Sequence, residues 1–295
     1  MFKKRGRQLS GALSAFTPSQ IEVKRQAERR IRNRKNQYVA GISSFIVLGS
    51  ISAVVVLSPG FKTLRDTFFD WAYGVEVLPK VLLGFLTNIF LTIIASTLVG
   101  VIALSIALIR TSKSPSLVPI RFLATAYVDV FRSIPLILVI LLVGFGIPAL
   151  EIKGLTSNVL ILGTIAVVIT YSAYVAEVIR SGILSVHPSQ KAAARSLGLS
   201  SWQTMRQVIL PQALRRVTPP LLNDLVALIK DTGLVSILGV TDAVRAAQIA
   251  TSRTFNYTPY ITAAVLFLCV TIPLTRYTDR VLRKSMEAQN SQGPA

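Results

Sequence analysis

Residues from which enzymes and metal sites are built are scarce in this chain. Its 295 residues include one cysteine, Cys269, and one histidine, His187. A single cysteine excludes an intramolecular disulfide, and the histidine has no Cys, Asp or Glu near it in sequence, so no metal site is predicted. The chain also lacks the Gly-x-x-x-x-Gly-Lys-Ser/Thr loop that cradles nucleotide phosphates. The sequence therefore predicts no enzyme and no cofactor of its own.

Charged residues are also few, at 15% of the chain, and the mean hydropathy is +0.57. This composition excludes an ordinary soluble fold, because apolar runs of about 20 residues are the length that crosses a bilayer as a helix. We predict an all-α, polytopic membrane protein with about six spans. They cover residues 38–57, 81–109, 120–150, 155–179, 220–240 and 260–280.

Acidic residues are scarcer than basic ones, with 13 Asp and Glu against 32 Lys and Arg. Of these basic residues, 24 lie in 1–37, 110–127, 180–219 and 276–295, and only six lie in the intervening loops. Such alternation sets membrane orientation and predicts that both termini are cytoplasmic, in a multi-pass protein of a bacterial plasma membrane. It argues against a nucleic-acid partner. The 11 basic residues of 1–37 are expected to lie against anionic membrane lipids.

A polar stretch at 188–211 interrupts the apolar runs. Pro188 suits a first helical position, and Gly198 suits the left-handed turn that ends such a helix. Ser200 with Gln203 predicts a capping box that opens a second helix, on which Trp202, Met205 and Ile209 share an apolar face. The first helix carries three consecutive alanines, and its nearly bare backbone allows a partner surface to approach closely.

The pattern of these residues resembles that of a known family of membrane proteins. The pattern Ala192-Ala193-Ala194-x-x-x-Gly198, followed after nine residues by Val208-Ile209-Leu210-Pro211, resembles the coupling loop of binding-protein-dependent ABC importer permeases. The stretches 131–136, 173–183 and 222–232 resemble the polar amino-acid permeases, which take up histidine, glutamate, glutamine, arginine and opines. The resemblance covers residues 78–280. It departs at Ala192, where the family usually has glutamate.

The resemblance implies a five-helix permease core with one added N-terminal span. The organisation expected is a basic cytoplasmic tail (1–37), an N-terminal transmembrane helix (38–58), an external interfacial segment (59–80), the permease domain (81–281) with its coupling loop (181–215), and a cytoplasmic tail (282–295). The residues expected to contact an ATPase are Ala192, Ala193, Ala194, Arg195, Gly198 and Pro211.

The partners implied are cytoplasmic ABC ATPase subunits that bind the ATP, a second permease subunit, and an extracytoplasmic amino-acid-binding protein. Glutamate- or glutamine-type substrates are favoured. Alternatives are an ABC permease for another small solute such as methionine, or an ion-coupled secondary transporter, which needs no partner loop and is often built from inverted repeats. A membrane anchor without transport would leave Lys230 and Asp231 unexplained.

Polar residues inside the predicted spans are the candidates for a translocation path. Ionisable groups at midplane depth are costly unless they face protein or water. Internal ion pairing is an equally weighted alternative for these residues, with Arg132 the obvious partner for an aspartate, whereas a cation such as Lys230 would receive a substrate carboxylate. The path candidates are Arg132, Asn223, Asp224, Lys230, Asp231 and Thr232.

Three further expectations come from spacing. Glu177 and Arg180 lie at i and i+3 and predict an ion pair at a helix end, with gating as a second role. Pro135 predicts an interruption in the third span. The glycines Gly84, Gly100 and Gly163 predict close helix packing.

Overall fold

A computed structural model describes residues 20–290 of the chain. Within that range no β-strand forms, so the predicted all-α fold is confirmed. The predicted tail before residue 20 and the last five residues of the predicted C-terminal tail lie outside the described residues.

The helices follow one another with short connections. The first three are α1 (Gln20–Leu57), α2 (Phe61–Phe68) and α3 (Trp71–Thr111). After a 3-10 turn (Pro115–Leu117) come α4 (Val118–Ser133), α5 (Leu136–Leu141), a π-helical turn (Leu142–Gly146) and α6 (Ile147–Ala149). The rest are α7 (Val159–Ser185), α8 (Pro188–Ser196), α9 (Ser201–Thr204), a second π-helical turn (Met205–Ile209), α10 (Leu210–Asp231), a 3-10 segment (Thr232–Leu238), α11 (Ala243–Thr254) and α12 (Thr258–Asn290).

Four helical stretches are long and apolar enough to cross a membrane: Lys35–Leu57, Phe61–Thr111, Val159–Ser185 and Thr258–Arg283. A fifth is formed if the two halves of a broken pair, Pro115–Ser133 and Leu136–Ala149, count as one span. These halves meet at 107° beside Pro135. The break is therefore where proline was expected to interrupt the helix, because its ring removes a backbone donor and clashes with the preceding turn.

The predicted span 220–240 does not form a single α-helix. Instead α10 begins at Leu210, ten residues earlier, and ends at Asp231, after which the backbone tightens into the seven-residue 3-10 segment. Pro219 and Pro220 lie inside α10 and do not begin it. Lys230 and Asp231 therefore lie where the α-helix changes to a 3-10 helix, and not midway along a straight span.

Residues 20–64 form a compact unit of their own. Its α1 is one unbroken helix of 38 residues, in which residues 20–37 of the expected tail and the expected first span are continuous. All side chains described in α1 are exposed.

The second unit is built around α3 and α7, with α4, α5, α10, α11 and α12 packed against them. Two of the three glycines predicted at close contacts are confirmed there. A Cβ on Gly84 would lie 2.4 Å from the backbone of Asp242, and one on Gly163 would lie 2.4 Å from Cγ1 of Val235. Gly100 has nothing within 4 Å of such a Cβ, so the prediction is wrong for it in this chain.

Helix α3 begins earlier than expected, at Trp71 rather than 81, because Asp70 caps it. The Asp70 carboxylate accepts the amide of Tyr73 at 3.1 Å, and the Asp70 amide donates to the Thr258 hydroxyl at 3.0 Å. The amide of Tyr257 donates to the carbonyl of Thr67 at 2.7 Å. The start of α3 is thereby joined to the start of α12, which itself continues to Asn290 and into the predicted C-terminal tail.

Candidate functional site

The alanine helix α8 is an exposed projection of the bundle. His187 precedes it and its Nδ1 accepts the amide of Ser189 at 3.3 Å, with Pro188 as the first helical residue. Gly198 follows with φ 85°, the left-handed turn predicted for it. Ala192 and Ala193 are exposed, whereas Ala194 is buried. Ala194 therefore packs against the protein, whereas Ala192 and Ala193 face outward and are open to a partner.

The next turn is also as predicted from Ser200 and Gln203. The Gln203 amide donates to Oγ of Ser200 at 3.2 Å, and the Ser200 amide donates to Oε1 of Gln203 at 2.8 Å, which completes the capping box. The predicted apolar face is divided, since Ile209 is buried while Trp202 is 62% exposed. Leu197 is 83% exposed on the same tip.

The other two predicted contact residues lie on this projection as well. Arg195 Nη1 donates to the carbonyl of Leu199 at 2.6 Å, so its guanidinium also ties α8 to the following turn. Pro211 is exposed at the start of α10. From Ser201 to Asp231 the chain is helical without a break, through the π-helical turn and α10. An unbroken helical backbone thus connects the projection to the interior of the bundle.

Glu177 and Arg180 form the ion pair that their spacing predicts, with Arg180 Nη2 2.5 Å from Oε1 of Glu177. A second guanidinium, which the sequence reasoning missed, binds the other oxygen: Arg110 Nη1 lies 2.6 Å from Oε2. Arg110 ends α3, and its Nε also reaches Oγ1 of Thr125 on α4 at 3.4 Å. One carboxylate therefore joins α3 and α7, and Arg110 extends the contact to α4.

A cavity of about 380 Å³ opens between α3, α7 and α10. Its wall is mostly apolar. The residues that line it are Ser96, Val99, Gly100, Leu104, Tyr171, Val175, Ile179, Leu214, Thr218, Leu221, Leu222, Asp224, Leu225 and Leu228. Oδ2 of Asp224 is buried and has no hydrogen-bond partner within the described residues. A carboxylate oxygen in that situation is costly, and this makes it a candidate for contact with a ligand cation.

Asp231 lies two turns after Asp224 on the same face of α10. Its hydrogen-bond partner is a residue that sequence reasoning missed. The Tyr171 hydroxyl donates to Oδ2 of Asp231 at 2.7 Å. Tyr171 also lines the cavity, so its hydroxyl connects Asp231, which lies outside the cavity wall, to the site that contains Asp224. A tyrosine in an apolar helix gave no sequence signal beyond its polar hydroxyl.

The expected pairing of an aspartate with Arg132 is wrong for this structure. Among residues 20–290, Arg132 makes no ion pair within 4 Å, and its carbonyl accepts the hydroxyl of Tyr174 at 3.3 Å. The physical reason is the bend at Pro135, since Arg132 sits at the end of α4 while α10 meets α7 instead. Lys230 and Asn223 are exposed and are not part of the cavity wall.

Thr232 belongs to a separate buried cluster of hydrogen-bonded polar side chains. Its Oγ1 accepts from Nδ2 of Asn88 at 3.3 Å, and the same Nδ2 lies 3.0 Å from Oδ2 of Asp242. All three residues are at most 1% exposed. Neither Asn88 nor Asp242 was a candidate from the sequence, although an asparagine within an apolar run was a visible signal.

Comparison with known proteins identifies the architecture. Relatives include a putative glutamine transport system permease protein of Rickettsia prowazekii, 34% identical over 217 residues, with 72% of this chain and 97% of the relative covered. An arginine transport system permease protein of Bacillus subtilis is 31% identical, with 73% and 96% covered. The crystal structure of an amino acid ABC transporter is 34% identical, with TM-score 0.66 over 73% of this chain and 98% of that one.

A methionine ABC transporter structure, 19% identical with TM-score 0.58, shares the fold. Residues 116–286 match the family described as binding-protein-dependent transport system inner membrane component. That description, together with the apolar helices, identifies a membrane protein and confirms the resemblance read from α8 and its neighbours. The chain belongs to the family of binding-protein-dependent transport system inner membrane components.

Proposed function

We propose that this chain is the permease subunit of an ATP-driven importer of polar amino acids. The observation that carries the proposal is the cavity between α3, α7 and α10, with the unpartnered Oδ2 of Asp224 in its wall. The relatives named for glutamine and arginine transport support the substrate class. ATP would be bound and hydrolysed on a separate partner, and the chain itself would be neither an enzyme nor a holder of a cofactor.

The cavity favours the ammonium end of an amino acid. Asp224 supplies negative charge to a mostly apolar wall, in which Ser96, Thr218 and Tyr171 are the other polar residues. The Tyr171 hydroxyl donates to Asp231, which lies outside the wall. A cation that meets the buried oxygen of Asp224 offsets its desolvation, whereas a second carboxylate on the substrate would be repelled. Glutamine-like or cationic side chains therefore fit this wall better than glutamate. Our sequence prediction had favoured glutamate- and glutamine-type substrates together.

Coupling would occur through α8. Its exposed Ala192 and Ala193 let a groove of the ATPase approach the helix backbone, and Leu197 and Trp202 supply the apolar contact beside them. A movement of this tip is carried along the continuous helical run from Ser201 to Asp231, whose carboxylate accepts the hydroxyl of the cavity residue Tyr171. ATP-driven closure of the partner would thus change the shape of the cavity, provided that the partner binds the two states with different affinity.

The orientation proposed is that of the Lys and Arg bias, with both termini and α8 on the cytoplasmic side of a bacterial plasma membrane. A second permease subunit and an extracytoplasmic binding protein complete the assembly. The basic segment before the first span would contact anionic lipid, at about 1 kcal/mol per Lys or Arg close to the surface.

The decisive experiment is purification of the full chain from its host membrane, followed by reconstitution into vesicles. We expect an ATPase subunit to copurify and amino-acid uptake to require ATP hydrolysis. A panel that includes glutamine, arginine, glutamate and methionine measures the substrate class. Uptake driven by an ion gradient without any ATPase would instead support the secondary transporter, and the proposal would be rejected.

Two variants separate the competing interpretations of the cavity. Asp224→Asn keeps the size of the side chain and removes its charge, so it should lower uptake by about tenfold, equivalent to roughly 1.4 kcal/mol. Lys230→Met tests the carboxylate route predicted from the sequence. A sharp fall for Lys230→Met with normal uptake for Asp224→Asn would show that the lysine, and not the aspartate, meets the substrate.

A further inference from the structure

Helix α11 and the α8 projection lie at opposite ends of α3. Tyr73, in the first turn of α3, donates its hydroxyl to the carbonyl of Ala250 in α11 at 3.0 Å. Arg110, in the last turn, binds Glu177 close to the exit toward α8. Since α3 has 41 residues, at 1.5 Å per residue the two contacts are separated by more than about 50 Å of helix. Any event at α11 must therefore be transmitted through the interior of the bundle before it can reach Arg110 and Glu177.

The start of α11 is held by a buried carboxylate. Asp242 is fully buried and caps the helix, with Oδ1 accepting the amide of Arg245 at 2.8 Å. Its Oδ2 accepts from Nδ2 of Asn88, and Oδ1 of Asn88 accepts the amide of Ala243 at 3.0 Å. Within the described residues no Lys or Arg lies within 4 Å of this carboxylate. Hydrogen-bond donors, and not a cation, stabilise this buried carboxylate, and Asn88 is the side-chain donor among them, so the position of Asn88 is tied to that of α11.

The contact between α3 and the start of α11, which we call the joint, also involves backbone atoms and leaves little room for movement. A Cβ on Gly84 would lie 2.4 Å from both the carbonyl carbon and the oxygen of Asp242. Helix α3 thus touches the chain at the start of α11 without an intervening side chain. Because packed interiors do not deform continuously, a shift of α11 moves Asn88 or breaks its hydrogen bonds.

The same Asn88 also contacts the end of α10, next to the residue that binds Tyr171 of the cavity wall. Its Nδ2 lies 3.3 Å from Oγ1 of Thr232, the residue at which α10 gives way to the 3-10 segment. The preceding residue, Asp231, accepts the hydroxyl of the cavity residue Tyr171. A 3-10 run of seven residues is unusually long, and such runs within helices often mark hinges. A polar chain therefore leads from α11 to Tyr171 through one hinge.

We propose that Asn88 and Asp242 are positioning residues that transmit the state of α11 to the cavity by setting the hinge at Thr232. The inference rests on the proposed function, because it assigns α11 to the external face on which the binding protein would act. A binding protein that shifts α11 would alter the Asn88 bond to Thr232 and move Asp231 against Tyr171. Asn88 and Asp242 touch no substrate; they act through Asp231.

The joint itself is tested on the purified permease alone by hydrogen exchange. Asp242→Asn places an amide donor against the amide donor of Asn88. Exchange in both Ala243–Thr254 and the Thr232–Leu238 segment should then accelerate by about tenfold. The double variant Asn88→Asp with Asp242→Asn restores donor against acceptor at this pair and should return exchange in Ala243–Thr254 to the original rate. Exchange in Thr232–Leu238 should stay fast, because an aspartate at position 88 has no donor for Oγ1 of Thr232. Thr92→Val is the control, since Thr92 is buried one turn further along α3 and bonds only the Asn88 carbonyl.

The transmission is tested on the complete transporter with its ATPase. The readout is the ratio of ATPase activity with loaded binding protein to the basal activity without it. Asp242→Asn should leave basal hydrolysis unchanged and lower the ratio by about tenfold, which falls in the usual range of coupling free energies. The double variant repairs only the pair with residue 242 and lacks the donor to Thr232, so its ratio should stay low, and Thr92→Val should not alter the ratio. A role in folding alone would lower basal hydrolysis and stimulation together.

The outcomes separate this inference from the proposed function. If exchange accelerates only in α11 and not in Thr232–Leu238, or if the ratio survives in Asp242→Asn, the transmission does not exist although transport stands. A different result is that no ATPase binds the unmodified permease, while Asp242→Asn accelerates exchange in both Ala243–Thr254 and Thr232–Leu238. The proposed function then fails, and the structural link between the two segments is still supported. If both single variants, Asp242→Asn and Asn88→Asp, misfold and the double variant folds with a low ratio, the pairing and its link to Thr232 are supported, whereas a normal ratio in the double variant overturns the transmission. Misfolding of all three overturns the positioning role.

Discussion

Arg110 and Glu177 are 67 residues apart in the chain, and their side chains meet with 2.6 Å between Nη1 and Oε2. Arg180 binds both oxygens of the same carboxylate, with Nη2 2.5 Å from Oε1 and Nε 3.0 Å from Oε2. The two guanidinium groups are not equivalent, because the side chain of Arg110 is 9% exposed and that of Arg180 is 30% exposed. One carboxylate thus fixes the end of α3 against α7 close to the exit toward α8.

Removal of Arg110 should therefore destabilise the protein more than removal of Arg180. We expect Arg110→Gln to cost about 3 kcal/mol, since Arg110 is the less exposed partner and its loss removes the ion pair that joins α3 to α7. Arg180→Gln breaks a more exposed pair within one helix and should cost about 1 kcal/mol or less. Thermal unfolding in the same detergent measures both. Equal losses would show that the pair within α7, and not the bridge to α3, holds this carboxylate.

Tyr171 should matter for transport more than its neighbour Tyr174. Tyr171→Phe leaves Asp231 without its 2.7 Å donor in the cavity wall, at a cost of about 1–3 kcal/mol for a buried acceptor. Uptake should fall through a higher KM. Tyr174→Phe is the matched control, because its hydroxyl reaches only the Arg132 carbonyl at 3.3 Å. Similar kinetics for the two variants would remove the Tyr171–Asp231 pair from the site.

The exposed and buried alanines of α8 should respond differently to bulk. Ala193→Trp adds a large side chain on the exposed face and should release the ATPase while leaving the permease folded. Ala194→Trp, at a buried position, should destabilise the permease itself by about 1–3 kcal/mol from overpacking. Copurified ATPase and thermal unfolding distinguish the two effects. Full ATPase retention in Ala193→Trp would mean that α8 is not the docking helix.

A glutamate at position 192 tests the departure from the family pattern. Ala192 is exposed near the start of α8, where a carboxylate interacts favourably with the helix dipole by roughly 0.3–1 kcal/mol. We expect Ala192→Glu to keep or slightly strengthen ATPase docking, with Ala192→Gln as the uncharged control. Loss of docking with glutamate alone would indicate an acidic partner groove.

Two glycines of α3 should give changes of opposite sign. Gly84→Ala places a methyl group 2.4 Å from the backbone of Asp242, so α11 must move and the free energy of unfolding should fall by about 1–3 kcal/mol or more. Gly100→Ala meets no atom within 4 Å and should stabilise the helix by roughly 0.5–1 kcal/mol. Denaturation of the two variants in parallel checks this. A destabilised Gly100→Ala would reveal a neighbour of that position in the assembled transporter.

The sequence by itself determined those features whose interactions lie within a few residues. The capping box at Ser200, the left-handed turn at Gly198 and the break beside Pro135 all follow from local backbone chemistry. The apolar runs determined an all-α membrane protein, and the spacing around the alanines of α8 determined the family. Each of these signals is complete within one short segment, so no knowledge of packing was needed.

Only the tertiary structure decided which polar residues meet. Helical periodicity placed Asp224 and Asp231 on one stripe, but a stripe does not tell which helix will face it, and Tyr171 rather than Arg132 is the partner. The same holds for Arg110 on Glu177 and for Asn88 on Asp242, which are 154 residues apart. Such pairings depend on how α3, α7 and α10 pack and on where Pro135 bends the chain, and these are properties of the whole bundle. Buried polar groups then take whichever donor or acceptor the packing brings within reach, because leaving them unpaired is costly.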